Sequence, residues 1–151
     1  MKFMKNQGVS FILNAFLSIL IIVSIILYSI NKSLPYFTEA TVSGPIIWFL
    51  VVSLLIVLAN IGIGFTNLKD NKIVSVGMNV ALVLVSFFLI GAAMYFISDR
   101  VYYYGITLGS DLESGNPVAK SSCIGAIVAT AFMLVSGLLS VVSNFFGKKE
   151  A

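Results

Sequence analysis

The chain has 151 residues, of which 59% are hydrophobic and 10% are charged, and its net charge is +3. Soluble domains carry roughly 45–50% apolar and about 25% charged residues, so this composition excludes a water-soluble fold and indicates an integral membrane protein. There is no histidine, and Cys123 is the single cysteine, which excludes most acid-base, zinc and disulfide chemistry. We expect a protein that is not an enzyme and has no catalytic, cofactor or metal site.

Long apolar runs predict four transmembrane helices, at about 9–30, 46–65, 73–97 and 117–146. Crossing the hydrocarbon takes about 20 apolar residues, and each run is long enough. Pro45 and Pro117 lie where helices 2 and 4 would begin, and proline is tolerated in the first turn of a helix. The sequence therefore predicts a single membrane domain over residues 1–151, an all-α bundle of four transmembrane helices with a longer outer loop at 98–121.

The basic residues predict the orientation of these helices. One side of the predicted membrane carries Lys2, Lys5, Lys69, Lys72, Lys148 and Lys149, and the other carries Lys32, Arg100 and Lys120. Because lysine and arginine are enriched in cytoplasmic loops, six against three places both termini in the cytoplasm. These cations suit phospholipid headgroups, so we expect the lipid bilayer as partner and no nucleic acid. A composition rich in Ile, Phe, Lys and Asn favours a bacterial plasma membrane.

An internal repeat relates helix 2 to helix 4. Residues 48–60 align without gaps to 132–144 with six identities in 13 positions, and helices 1 and 3 show a weaker echo. Self-similarity of this kind is typical of duplication. Identities also arise by chance between two apolar segments, because such segments use few residue types. The hypothesis is that two helical hairpins, duplicated in the same orientation, form the bundle.

Four asparagines lie within the predicted helices: Asn14, Asn60, Asn79 and Asn144. The first three share a depth about 8 to 9 Å from the cytoplasmic boundary at 1.5 Å per residue. Asn144 belongs to the same layer if helix 4 continues towards Lys148. An uncharged amide in hydrocarbon is costly unless it is paired. This polar intramembrane layer therefore predicts either hydrogen bonds between helices or the lining of a pore or solute pocket.

Helix 4 carries a seam of small residues on one face. Its members are Ser122, Ala126, Ala129, Ser136, Ser140 and Ser143. Small side chains let helix backbones approach closely in a membrane. The seam predicts close packing, either against the neighbouring helices of the same bundle or against another protein.

The predicted loop 98–121 is the stretch with the most mixed chemistry. Its candidate contact residues are Asp99, Arg100, Tyr102, Tyr103, Tyr104, Asp111 and Glu113. Tyrosines near the membrane boundary are typical interfacial anchors, and the acidic residues lack the spacing of a calcium loop. We expect this loop, together with the seam below it, to contact a partner.

These observations favour a non-enzymatic accessory or assembly subunit that packs against other membrane protein subunits or copies of itself. The alternative is a small channel or uncoupled transporter for a neutral solute, which would use the asparagine layer. A dry, filled bundle would favour the first function and a continuous polar path would favour the second.

Overall fold

The computed structural model describes residues 9–40, 42–66, 68, 71–113 and 115–145. Over these residues the chain forms α1 (Val9–Lys32), a 3-10 turn (Pro35–Phe37), α2 (Pro45–Ile63), α3 (Lys72–Leu108) and α4 (Pro117–Phe145). All four α-helices are long and apolar enough to cross a membrane. The prediction of an all-helical fold with four such helices is confirmed.

The four helices form a closed ring in which each packs against two others. Helix α1 contacts α2 and α4, and α3 contacts the same two helices from the opposite side. Short connections join the helices in chain order, so neighbours run antiparallel. The bundle therefore has two ends. At the first, α1 and α3 begin and α2 and α4 end; at the second, the directions are reversed.

Buried side chains recur at alternating spacings of three and four residues. In α2 they are Ile46, Leu50, Ser53, Val57 and Asn60. In α4 the same spacing runs through Ala119, Ser122, Ala126, Ala129, Met133, Ser136, Ser140 and Ser143. A repeat of 3.5 residues keeps one stripe facing the partner helices and is typical of near-parallel helices packed knobs into holes. The core is therefore built along four heptad stripes.

The outward faces of the helices are also apolar. Large side chains such as Phe16, Trp48 and Phe87 are 53%, 68% and 69% exposed. Soluble monomers rarely expose contiguous apolar patches above a few hundred Å², because such surface is unfavourable in water. A bundle that is apolar inside and outside has the surface expected of lipid-facing helices.

Local side-chain contacts define where the helices begin. The Asn71 side chain accepts a hydrogen bond from the Ile73 amide at 3.0 Å, and Asn116 accepts from the Val118 amide at 3.1 Å. Both asparagines thus satisfy amides of a first helical turn. Pro45 and Pro117 occupy the first turns of α2 and α4, as the sequence predicted.

The predicted loop 98–121 is wrong in extent. Helix α3 continues through Ser98 to Leu108 and ends at Gly109, so the connection to α4 is only 109–116. The aromatic and charged residues after Ile97 end the hydropathy run, but none of them terminates a helix. With 37 residues, α3 is about 55 Å long and exceeds a hydrocarbon layer of about 30 Å.

The structure does not confirm the duplicated hairpins. Val57 and Val141 occupy equivalent positions in the sequence alignment, but Val57 is fully buried and Val141 is 38% exposed. The reverse holds for Ala59, which is exposed, and Ser143, which is buried. The buried stripes of α2 and α4 are therefore displaced by one residue relative to the alignment, which rotates the buried face by about 100°.

Candidate functional site

A polar cavity of about 160 Å³ lies at the first end of the bundle. Its lining residues come from all four helices: Ser10, Asn60, Asn79, Leu82, Val83, Ser143 and Asn144. Three of the four asparagines predicted from sequence are therefore brought together around one cavity. None of the lining side chains carries a formal charge.

The three asparagines of the cavity differ in their hydrogen bonding. The Asn144 Nδ2 atom donates to the Leu82 carbonyl oxygen at 3.4 Å and thereby links α4 to α3. Asn60 is only 9% exposed, yet its amide forms no hydrogen bond with the part of the chain that the structure describes. Asn79 is exposed at the rim of the cavity. The cavity thus contains a nearly buried amide whose hydrogen-bonding capacity the described residues leave unused.

Asn14, the fourth asparagine, hydrogen-bonds within its own helix. Its Nδ2 atom donates to the Ser10 carbonyl oxygen at 2.8 Å and to Ser10 Oγ at 3.3 Å. The Asn14 Oδ1 atom is buried and has no hydrogen-bond partner among the described residues. Among the described atoms of these four side chains, only the Asn144 amide bonds another helix, so most of the layer does not join helices directly.

The small-residue seam of α4 lies inside the bundle. Its six predicted members are all buried, with exposures between 0% and 4%. Ser86 Oγ of α3 donates to Ser140 Oγ at 3.0 Å, and a β-carbon added to Gly137 would lie 2.8 Å from Ile90 Cγ1. Of the two roles predicted for the seam, this placement fits packing within the chain, because these side chains have almost no surface left for another protein.

Arg100 is the centre of a second polar cluster, at the other end of the bundle. The sequence placed it in a contact loop, but it belongs to α3 and is 1% exposed. Its Nε atom donates to Asn31 Oδ1 at 3.2 Å, and Asn31 Nδ2 donates to the Ser122 carbonyl oxygen at 3.2 Å. Arg100 therefore connects α3 to α1 and, through Asn31, to α4.

Aromatic rings cover the guanidinium group of Arg100. Its Cζ atom lies 4.3 Å from the centroid of the Phe37 ring and 5.2 Å from that of Phe96, distances typical of cation–π contacts. Phe37 belongs to the connection between α1 and α2. This connection is also held by the adjacent residue of α3, because both Asp99 carboxylate oxygens accept hydrogen bonds from Ser43 at 2.7 Å.

The remaining residues of the predicted contact loop have separate environments. Tyr103 packs edge-on against Phe37, and Tyr104 is half-buried, whereas Tyr102 is 69% exposed. Asp111 is exposed, and Glu113 accepts a hydrogen bond from Asn116 at 2.8 Å. A shallow cavity of about 430 Å³ lies between Glu39, Asp99, Tyr102 and Tyr103. The predicted set is thus divided between the protein interior and its surface.

Asn31 and Phe37 are the functional candidates that the sequence did not indicate. Asn31 is separated by 69 residues from Arg100 and by 91 from Ser122. Its sequence signals are a polar residue near the end of helix 1, which is typical of a helix terminus, and the Asn31-Lys32-Ser33 glycosylation sequon; neither points to Arg100. The partners of Arg100 depend on the arrangement of the helices and were not recognisable from local spacing.

Comparisons with known proteins give no further assignment: no family model, curated protein or solved structure matches the chain. Within the described ranges, no group of three or more His, Cys, Asp or Glu side chains is placed to hold a metal ion. Function must therefore be inferred from the asparagine cavity, the Arg100 cluster and the packing between them.

Proposed function

We propose that the protein is an integral membrane protein that crosses a bilayer four times and acts without catalysis, as an accessory or assembly subunit of a membrane complex or as a homo-oligomer. The observation that carries this proposal is the filled interior between the two polar ends. Its side chains are fully buried in the middle of the bundle: Leu17, Ile21, Leu50, Val85, Leu89 and Met133. Such a core supports a structural role.

Three of the polar side chains in the same region form hydrogen bonds within their own helices rather than a path through the bundle. Ser24, Thr130 and Ser136 each donate to the carbonyl oxygen four residues earlier in their own helix, at 2.7–2.9 Å. This local bond satisfies a hydroxyl in apolar surroundings. These groups are therefore compatible with a dry interior, and the alternative of a channel or uncoupled transporter has less support.

The surface supports a place within the lipid bilayer. Apolar side chains are exposed on all four helices, and the six-to-three division of basic residues favours cytoplasmic termini. Van der Waals packing, rather than the hydrophobic effect, drives the association of helices that are already in lipid. The proposal places the protein in a bacterial plasma membrane, where it associates with other subunits or with itself.

The test is gentle extraction from the membrane followed by native mass spectrometry. We expect the chain either with a second protein at fixed stoichiometry, as an accessory subunit, or as a multiple of its own mass, as a homo-oligomer. Cross-linking in the membrane before extraction controls for dissociation in detergent. A monomer in both preparations would contradict the proposal.

A further inference from the structure

We propose that the asparagine cavity, formed by Ser10, Asn60, Asn79, Ser143 and Asn144, binds a small uncharged molecule that carries several hydroxyl or amide groups. Asn60 has an amide that the described part of the protein leaves without a partner. Its side chain is nine-tenths buried and lines the cavity, but it has no hydrogen-bond partner in the described part of the chain. The Asn60 amide atoms are not enclosed by protein and are accessible from the cavity, so a bound molecule can make the hydrogen bonds that the described residues leave unmade.

The electrostatics of the cavity favour a neutral ligand. Its lining contains amides, hydroxyls and apolar groups and no formal charge. Helices α1 and α3 begin at this end, and α2 and α4 finish here. Because helix N-termini are partially positive and C-termini partially negative, the four ends offset one another. Asparagine supplies both donors and an acceptor, which matches a ligand that also has both.

The dimensions of the cavity limit the ligand to a small molecule. A volume of about 160 Å³ is several times the roughly 30 Å³ that one water occupies in the liquid. The space suits a molecule of the size of glycerol or urea, or the cluster of waters that such a molecule replaces. Beyond Leu82, the fully buried Leu17 and Val85 close the interior, so the site is blind-ended.

Part of the lining is already held in place before a ligand binds. The Asn144 amide nitrogen is engaged by the Leu82 carbonyl oxygen, which leaves its Oδ1 atom as an acceptor. Ser10 Oγ accepts a hydrogen bond from Asn14, which leaves its hydroxyl hydrogen as a donor. Fixed polar groups lower the ordering cost of binding. The Asn60 and Asn79 amides supply the remaining donors and acceptors.

The experiment is saturation-transfer NMR on the full-length purified protein in a detergent without polyol headgroups, with glycerol and urea as separate probes. We expect transfer to at least one probe from the wild type and a severalfold reduction for Asn60→Leu. Leu58→Phe is the matched control, because Leu58 is an exposed residue of the same helix; it should leave the transfer unchanged. Asn79→Leu alters an exposed rim residue and provides the same test if Asn60→Leu does not fold.

Either of two results would overturn the inference. The first is transfer that is the same in the wild type and in the folded cavity variants, which would place the probes elsewhere on the protein. The second is that no saturation is transferred to either probe. If sodium or potassium then shifts the protein resonances, the cavity is a cation site and the proposed neutral ligand is wrong. Neither result depends on the subunit composition found by native mass spectrometry.

Discussion

Arg100 shows how one charged residue can hold an apolar bundle together. Its guanidinium donates to Asn31 of α1 and lies over the ring of Phe37, which follows that helix. Hydrogen bonds from charged donors are roughly twice as strong as neutral ones, and a cation–π contact adds about 2 kcal/mol when it is desolvated. Arg100 thus fixes the end of α1 and the following connection against α3.

The first prediction concerns this contact. Arg100→Met retains an apolar chain against Phe37 but leaves Asn31 Oδ1 without its donor, so we expect a loss of about 1–3 kcal/mol in the free energy of unfolding. The measurement is unfolding in mixed detergent micelles, followed by circular dichroism. Lys120→Met, at an exposed position of α4, is the control. Equal stability of the two variants would show that Arg100 does not hold this end together.

The small residues of α4 determine how closely α3 approaches. Gly137 is buried, and a β-carbon there would lie 2.8 Å from Ile90 Cγ1 and 3.6 Å from the Leu89 Cβ atom. Isoleucine is branched at Cβ and has few rotamers in a helix, so Ile90 cannot turn away freely. Close contact between these helices therefore requires glycine at this position.

Gly137→Ala should consequently lower the stability of the protein by about 1–3 kcal/mol, the usual effect of overpacking a core. Gly77→Ala is the matched control, because Gly77 lies within α3 with nothing within 4 Å of the added β-carbon. There the better helix propensity of alanine should raise stability by up to about 1 kcal/mol. Unfolding of both variants in the same micelles tests the pair, and a loss at both glycines would contradict the packing argument.

The apolar runs predicted the existence and order of the four helices because long apolar segments leave few alternatives. They did not predict the end of α3. Hydropathy reports where a helix leaves the hydrocarbon, whereas the helix itself continues from Ser98 through Tyr104 to Leu108 and ends at Gly109. The end of the apolar run and the end of the helix are therefore separate boundaries, and hydropathy predicts only the first.

The depths of the asparagines within the predicted helices indicated some of the residues that line the asparagine cavity. The predicted helix bounds place Asn60 and Asn79 at similar depths, and in the structure both line the same cavity with Asn144. Depth alone does not give the direction of a side chain, which is why Asn14 proved to bond its own helix. The Arg100 cluster could not be anticipated, since its partners Asn31 and Phe37 are distant in sequence.

The proposed orientation of the protein in the membrane gives a direct test of topology. Leu112 lies between α3 and α4 and is 79% exposed, and Leu68 lies between α2 and α3 and is 52% exposed. In a Cys123→Ser background, a cysteine at 112 should react with an impermeant thiol reagent in intact cells. A cysteine at 68 should react only after the membrane is permeabilised. The reverse pattern would invert the proposed topology.

The unequal lengths of the helices have a consequence for the outline of the molecule. Helix α2 has 19 residues and α3 has 37, which correspond to about 28 Å and about 55 Å. Helix α1 ends and α2 begins near the Arg100 cluster, whereas α3 continues to Leu108, so the four helices do not reach the same height at this end. The Pro35–Phe37 turn packs beside the protruding part of α3, where the Tyr36 hydroxyl is hydrogen-bonded to Thr107. In a bilayer, the end of α3 at Leu108 and the described residues that follow it, 109–113, would therefore stand farthest from the lipid on this side and be among the first parts that an approaching macromolecule meets.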